Sequence, residues 1–121
     1  DSNYKKAIKL EYILNEECYI NNNVLNEVLT LTGRKLNIDS AREVYYSLID
    51  TFNVLNEYEI VNYTSETFKI FETYIGVNSN KTKLSFTDSS IILTMKAFNI
   101  DTLVSFDEEF KRIKEINLIQ E

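Results

Sequence analysis

The sequence contains no histidine, no proline and no tryptophan, and it has only one cysteine, Cys18, and two glycines, Gly33 and Gly76. Without histidine, neither Ser-His-Asp nor Cys-His catalysis nor a histidine-ligated metal site is possible. One cysteine excludes a disulfide within the chain and an all-cysteine zinc or iron–sulfur site. Two isolated glycines exclude the P-loop and the dinucleotide fingerprint, which both need a glycine cluster next to phosphate. If the protein is an enzyme, carboxylates that hold a hard cation are the catalytic groups that remain.

The chain is acidic and shows no membrane or secretion pattern. Its net charge is −6 and its sequence pI is about 4.7, which argues against a generic nucleic-acid binder with a basic surface. This net charge is still compatible with an enzyme that binds nucleic acid through metal ions. No stretch approaches the roughly 18 consecutive apolar residues of a membrane span, and no signal-peptide pattern is visible at the start. With a single cysteine, the simplest expectation is a cytoplasmic protein.

Apolar periodicity predicts that helices and short strands alternate along the chain. The predicted helices are residues 3–16, 24–33, 39–52, 64–75 and 87–98, with a short helix or turn at 107–113. The predicted strands are residues 18–20, 59–63, 102–105 and 116–119. This alternation is typical of an α/β domain in which helices cover a parallel sheet. Since no linker or repeat divides the 121 residues, we expect a single domain over 1–121.

Polar residues and glycines mark where the predicted helices begin and end. Short polar side chains favour N-caps, and glycine favours the position after a C-terminus. The residues expected in these roles are the asparagines at 21–23 and Ser85 or Thr87 as N-caps, Ser40 with Glu43 as a capping box, and Gly76 as a C-terminal stop. The helix that begins at residue 24 is expected to end near Gly33 or shortly beyond.

Three of the nineteen acidic residues lie where a helix begins or a strand ends, beside apolar residues. Glu27 lies in the first turns of the helix after the first predicted strand. Asp88 lies in the first turn of the helix at 87–98, and Asp107 directly follows the strand at 102–105. Ligands of open α/β sheets bind at the carboxyl ends of the strands, so these three are the candidate site residues. The alternative is structural, because the helix dipole stabilises an acid in a first turn.

Clustered carboxylates favour a bound cation. Their negative charges repel one another, and a cation offsets that repulsion. Oxygen ligands alone suit Mg²⁺ or Mn²⁺. Such an ion polarises a phosphoryl oxygen and lowers the pKa of a bound water molecule. A site without histidine could therefore cleave a phosphodiester.

Three stretches of the sequence resemble the PIN-domain family, and within it the toxin ribonucleases of VapBC toxin–antitoxin pairs. They are Asn-Glu-Val-Leu at 26–29, Leu-Ser-Phe-Thr-Asp-Ser-Ser-Ile at 84–91, and Asp-Thr-Leu-Val-Ser-Phe-Asp-Glu-Glu-Phe at 101–110. The resemblance implies a three-layer α/β/α fold with a parallel sheet. It also implies an endoribonuclease that depends on Mg²⁺ or Mn²⁺, an RNA substrate, a cognate antitoxin protein that covers the site, and often a homodimer.

The resemblance assigns roles to individual residues. Glu27, Asp88 and Asp107 correspond to the second, third and fourth metal-binding acids of the family, and thus to its catalytic residues. Ser105 corresponds to the small hydroxyl residue that often precedes the fourth acid by two positions. The residues that flank the site and would position water or ligands are Asn26 and Thr87.

One element of the family pattern has no counterpart in this sequence. The first acid of the family lies at the end of a central first strand, and nothing here matches that stretch. The tripeptide at 1–3 is superficially similar, but no strand precedes it. We therefore expect the chain to be an N-terminally truncated PIN-like domain, which leaves its own activity open. The gap in the sheet would close by rearrangement or by an element borrowed from a second copy.

Other readings of the same residues remain open. Arg34 and Lys83 could contact substrate phosphate, although a basic residue near a helix C-terminus is also explained by the helix dipole. The neighbouring Tyr45 and Tyr46 could form a dimer or antitoxin surface. The protein as a whole could be a non-catalytic PIN-like binding or scaffold protein. It could also be a helical domain in which the acids only cap helices.

Overall fold

A computed structural model of the protein describes residues 11–75, 84–105, 108–113 and 116–120. Its α-helices are α1 (Asn22–Lys35), α2 (Ile38–Thr51), α3 (Tyr63–Ile75) and α4 (Phe86–Ala97). Its strands are β1 (Tyr19–Asn21), β2 (Asn53–Leu55), β3 (Thr102–Val104) and β4 (Asn117–Ile119). Short 3₁₀ helices cover Glu11–Asn15, Glu57–Glu59 and Glu108–Arg112. Within the described ranges, none of the helices has the length and hydropathy that crossing a membrane requires.

The strands pair in parallel, which confirms the predicted α/β class. β1 pairs with β2, with Tyr19 opposite Asn53, and β3 pairs with β4, with Thr102 opposite Asn117. The alternation of elements suggested one sheet, whereas the described strands form two separate two-stranded sheets. In the described part of the chain, β1 and β3 therefore each keep one edge without a partner strand.

The apolar core lies on the side of the second sheet. Leu84, Ile92, Phe110 and Ile113 are buried together, and side chains of α3, α4, β3 and β4 pack around them. By contrast, α1 buries none of its residues and α2 buries only Ala41. The first half of the fold consequently depends on contacts other than a deep apolar core.

One predicted strand is wrong. Residues 59–63 were expected to be extended, but the second strand is β2 at Asn53–Leu55, and the chain turns immediately after it. The side chain of Asn56 accepts a hydrogen bond from the backbone N–H of Tyr58 and caps a 3₁₀ turn. Asn62 then adopts a left-handed conformation, with φ 58°, which asparagine tolerates better than most residues. Apolar content alone did not reveal this local hydrogen bonding.

The expected capping box at Ser40 and Glu43 is also wrong. Asn37 caps α2 instead, because its side-chain oxygen accepts the N–H of Ser40 at 2.7 Å. That bond starts the helix at Ile38, two residues before the predicted cap. α1 continues to Lys35, two residues past Gly33, in agreement with the expected end near or shortly beyond that glycine. The part of the predicted helix at 3–16 that precedes residue 11 and the predicted stop at Gly76 lie outside the described residues.

A buried carboxylate determines where α1 begins. Glu57 is fully buried, and its two carboxylate oxygens accept the backbone N–H groups of Asn22 and Asn23, each at 2.8 Å. The side chain of Asn21 accepts the next N–H, that of Val24, at 3.0 Å. The first N–H groups of a helix have no partner inside the helix, and its N-terminus favours negative charge. Glu57 thus joins the segment after β2 to the start of α1.

We expect Glu57→Gln to lower the free energy of unfolding by about 1–3 kcal/mol, because an amide NH₂ would face a buried N–H donor. Urea denaturation would measure the change. The matched control is Glu59→Gln, since Glu59 is exposed two residues away and its loss should stay within about 0.5 kcal/mol. Equal stability of the two variants would show that the contact of Glu57 with α1 contributes nothing.

We expect Gly33→Ala to stabilise the protein by about 0.5–1 kcal/mol, because glycine inside a helix loses more backbone entropy than alanine. Gly33 lies within α1, its φ is not positive, and a Cβ built there meets nothing within 4 Å. A thermal unfolding scan would show a higher Tm. A lower Tm would mean that the helix does not continue through this residue.

Candidate functional site

A cleft of about 340 Å³ lies between the two sheets. β1 and β3 border it along their whole lengths, including their carboxyl ends at Asn21 and at Val104 and Ser105. Side chains of α1 and α4 complete its walls, among them Val24, Asp88 and Met95. The carboxyl ends of strands are the edge at which α/β proteins bind ligands, so this cleft is the candidate site.

Asp88 has two roles in the structure. It is the third residue of α4, where its Oδ2 accepts the N–H of Ser85 at 3.1 Å and its own N–H donates to the hydroxyl of Ser85 at 3.0 Å. This is a reciprocal capping box, so Ser85 is the N-cap. Asp88 is also half-buried and borders the cleft. The structural and the functional interpretations of this residue are therefore compatible.

Glu27 is exposed on α1 and does not border the cleft. It lies four residues after Asn23, so the two share a helix face. The amide of Asn23 donates to the hydroxyl of Ser90 in α4 at 3.1 Å, which attaches that face of α1 to the helix that carries Asp88. Asp107 lies outside the described residues. Among the residues that the structure describes, no three acidic or cysteine side chains form a group that could hold a metal ion.

The remaining predicted residues are distributed around these elements. Ser105 borders the cleft and donates its backbone N–H to the carbonyl of Ile119 at 3.1 Å. Thr87 is half-buried, and its carbonyl accepts the hydroxyl of Ser90 at 2.6 Å. The predicted residues that lie away from the cleft are Asn26, which is exposed on α1, and Arg34, which is exposed in the last turn of α1. Lys83 lies outside the described residues.

The structure adds a polar network that sequence reasoning missed. The amide of Asn21, which is almost fully buried, donates to the hydroxyls of Ser90 at 3.3 Å and Thr94 at 3.2 Å. These partners are 69 and 73 residues away along the chain. In the described residues no buried side-chain nitrogen or oxygen lacks a partner. The three consecutive asparagines at 21–23 were the visible signal, but they indicated only an N-cap.

Two tyrosines extend this network away from the cleft. The hydroxyl of Tyr58 donates to the side-chain oxygen of Asn23 at 2.7 Å, and the amide of Asn23 donates to the hydroxyl of Tyr63 at 2.6 Å. Burial, followed by the negative charge of Glu57, raises the pKa of Tyr58, so its phenol keeps the proton that it donates. A hydrogen bond with Glu17 is the main cause that raises the pKa of Tyr19, which borders the cleft.

Comparison with known proteins identifies the family. The sequence matches the family model described as PIN domain over residues 2–116. Searches of curated proteins and of solved structures each gave no significant match. PIN domains are in general nucleases, and they typically depend on a divalent metal. Because the match covers nearly the whole chain, the protein belongs to the PIN-domain family.

Proposed function

We propose that the protein is a metal-dependent endoribonuclease, the toxin of a toxin–antitoxin pair, whose site contains Glu27, Asp88 and Asp107. The observation that carries the proposal is the position of Asp88, half-buried in the cleft where β1 and β3 end. A partly buried carboxylate at the carboxyl edge of parallel strands is well placed to bind a cation. Membership of a family of nucleases supports the same reaction class.

The donor atoms of the site fit Mg²⁺ or Mn²⁺. Oδ2 of Asp88 accepts the N–H of Ser85, and within the described residues Oδ1 has no hydrogen-bond partner, which leaves it for a cation. The chain has no histidine, so its candidate ligands are oxygens, which suit hard cations. In this proposal Glu27, Asp88 and Asp107 hold the ion. When bound, the ion would supply Lewis acidity toward a phosphoryl oxygen and toward water.

The other residues of the site act by positioning. The capping box with Ser85 orients the carboxylate of Asp88. The hydrogen bond from Asn23 to Ser90 holds α1, and with it Glu27, against α4. Ser105 borders the same cleft as Asp88, and Asn26 and Thr87 complete the set proposed to position water or ligands. The non-catalytic alternative is supported by the separation of Glu27 from the cleft, and the activity test below distinguishes the two.

We expect Asp88→Asn and Glu27→Gln each to reduce Mn²⁺-dependent cleavage of single-stranded RNA on the order of a hundredfold or more, because each removes one charge that would bind the ion. Asparagine at position 88 still offers an oxygen to the N–H of Ser85, so α4 should keep its cap. Cleavage of a labelled oligonucleotide and calorimetric titration with Mn²⁺ would measure both effects.

Two acids on α2 provide matched controls for this experiment. Asp39 is an exposed first-turn acid that pairs with Arg42 at 2.9 Å, and Glu43 is exposed on the same helix. Asp39→Asn and Glu43→Gln should leave cleavage and Mn²⁺ binding unchanged. Unchanged cleavage in Asp88→Asn would reject the site. A chain that binds Mn²⁺ through Asp88 and cleaves no RNA would support the non-catalytic alternative.

We further propose that α1 and α2 form a surface for a second copy or an antitoxin. Of the residues in these two helices only Ala41 is buried. Large apolar side chains remain exposed on both helices and on the segment that connects them. These residues are Leu31, Leu36, Ile38, Tyr45, Tyr46 and Ile49. A contiguous exposed apolar patch would mark an interaction site. The edges of β1 and β3 that lack a described partner strand offer a second place where an element of another copy could pair.

We expect the protein to be a dimer in solution, and Tyr46→Lys combined with Ile49→Lys to convert it to a monomer, because two buried ammonium groups would oppose apolar association. Size-exclusion chromatography with light scattering would measure the mass. Val61→Lys is the control, since Val61 is exposed and lies outside both helices. A wild-type monomer, or a dimer that persists in the double variant, would contradict the proposed surface.

A further inference from the structure

An open hollow of about 1000 Å³ is bordered by aromatic side chains. It is formed by the segment before α3, by α3 itself and by the first residue of α4. Four of the described residues that line it are aromatic, namely Tyr58, Tyr63, Phe68 and Phe86. Tyr58 and Phe68 are about half exposed, at 51% and 50%, and Phe86 is exposed at 37%. We call this surface the aromatic hollow.

The rings of the aromatic hollow are held by neighbouring rings. Tyr58 and Tyr63 stand edge to face, with centroids 5.3 Å apart. Phe68 and Phe86 each pack on the half-buried Phe71, with centroids 6.1 and 5.8 Å apart. Tyr58 is further held by its hydrogen bond to Asn23. Exposed rings that are already held in place lose little entropy when a flat ligand stacks on them.

Polar groups lie between these rings. The left-handed residue Asn62 and the hydroxyl residue Thr64 border the hollow, and within the described residues neither side chain has a hydrogen-bond partner. Lys69 is the only charged residue among those described that line the hollow, and it pairs with Glu66 at 3.3 Å. The hollow therefore offers aromatic area and neutral donors and acceptors, with little positive charge.

The aromatic hollow and the candidate cleft are separate, and α4 contributes a residue to each. Phe86 is the first residue of α4, two positions before Asp88. On the other side, the hydroxyl of Tyr58 contacts Asn23, which lies one helical turn before Glu27 on α1. A polymer chain would have to pass around the N-terminus of α4 to contact both the hollow and Asp88.

We propose that the aromatic hollow binds unpaired nucleobases of single-stranded RNA by stacking. The proposal rests on the function proposed above. Nucleobases are flat and carry donors and acceptors on their edges, which suits rings interleaved with Asn62 and Thr64. Bases in a duplex are already stacked on one another and cannot enter. Lys69 is the only charged residue described in the lining, so we expect stacking rather than phosphate binding to provide most of the affinity. The affinity for RNA should therefore fall only slightly as the salt concentration rises.

The test separates binding from cleavage. Fluorescence anisotropy of a labelled twelve-residue oligouridylate is measured in EDTA, so that no metal-dependent cleavage occurs. Phe68→Leu keeps an apolar side chain but removes the ring, and it should weaken binding by about five- to a hundredfold. Phe68→Trp should restore it. Tyr12→Leu is the matched control, since Tyr12 is an exposed aromatic residue on the 3₁₀ helix at Glu11–Asn15, and it should leave affinity unchanged.

Two competitors test the chemistry of recognition. A ribose-phosphate oligomer without bases, and a duplex of the same length, should both displace the probe poorly. Equal competition by the oligomer without bases, no effect of Phe68→Leu, or no binding by the wild-type protein would each overturn the proposal. If Phe68→Leu instead changes only the mass measured by light scattering, the hollow is a protein interface. Loss of Mn²⁺-dependent cleavage in Asp88→Asn tests the proposed function, and loss of binding in EDTA in Phe68→Leu tests the aromatic hollow, so the two proposals can fail separately.

Discussion

The contact between the carboxylate of Glu57 and the N-terminus of α1 is the interaction on which the rest of the site depends. Glu57 is fully buried, and the structure gives it two backbone N–H groups in place of a cation. A buried charge is stable only when its hydrogen-bonding capacity is used. This requirement ties the turn after β2 to the first turn of α1. The direction of α1, and so the position of Glu27, follows from it.

Polar contacts contribute to holding the same part of the molecule. α1 has no fully buried side chain, and its N-cap Asn21 and its second residue Asn23 bond to Ser90 of α4. Hydrogen bonds have narrow geometric limits, so this network sets the relative placement of the two helices more tightly than a thin apolar contact would. One of these helices carries Asp88 and the other carries Glu27. The network reaches Tyr58, which also lines the aromatic hollow, so the cleft and the hollow share a common support.

Much of the fold could be predicted from local sequence signals. β1, β3 and β4 lie within one residue of their predicted bounds, because short apolar runs followed by turn or cap residues are informative. α4 was placed correctly, with Ser85 as one of two expected caps. The predicted strand at 59–63 is wrong because Asn56 and Asn62 turn the chain there. Asn56 does so through a side-chain hydrogen bond and Asn62 through a left-handed backbone conformation, and the apolar content of the segment indicates neither. The predicted capping box at Ser40 is wrong because the side chain of Asn37, rather than that of Glu43, accepts the backbone N–H of Ser40.

The sequence by itself determined the available chemistry and the family. A chain with no histidine and one cysteine leaves oxygen ligands, and the stretches around Glu27, Asp88 and Asp107 were enough to suggest the PIN family, which the match over residues 2–116 confirms. Only the tertiary structure decided that Glu57 is buried against α1, that Asn21 reaches Ser90 and Thr94, and that Asp88 borders a cleft while Glu27 does not. These contacts join residues 34 to 73 positions apart. Their partners are chosen by the packing of whole elements, which no local pattern of residues contains.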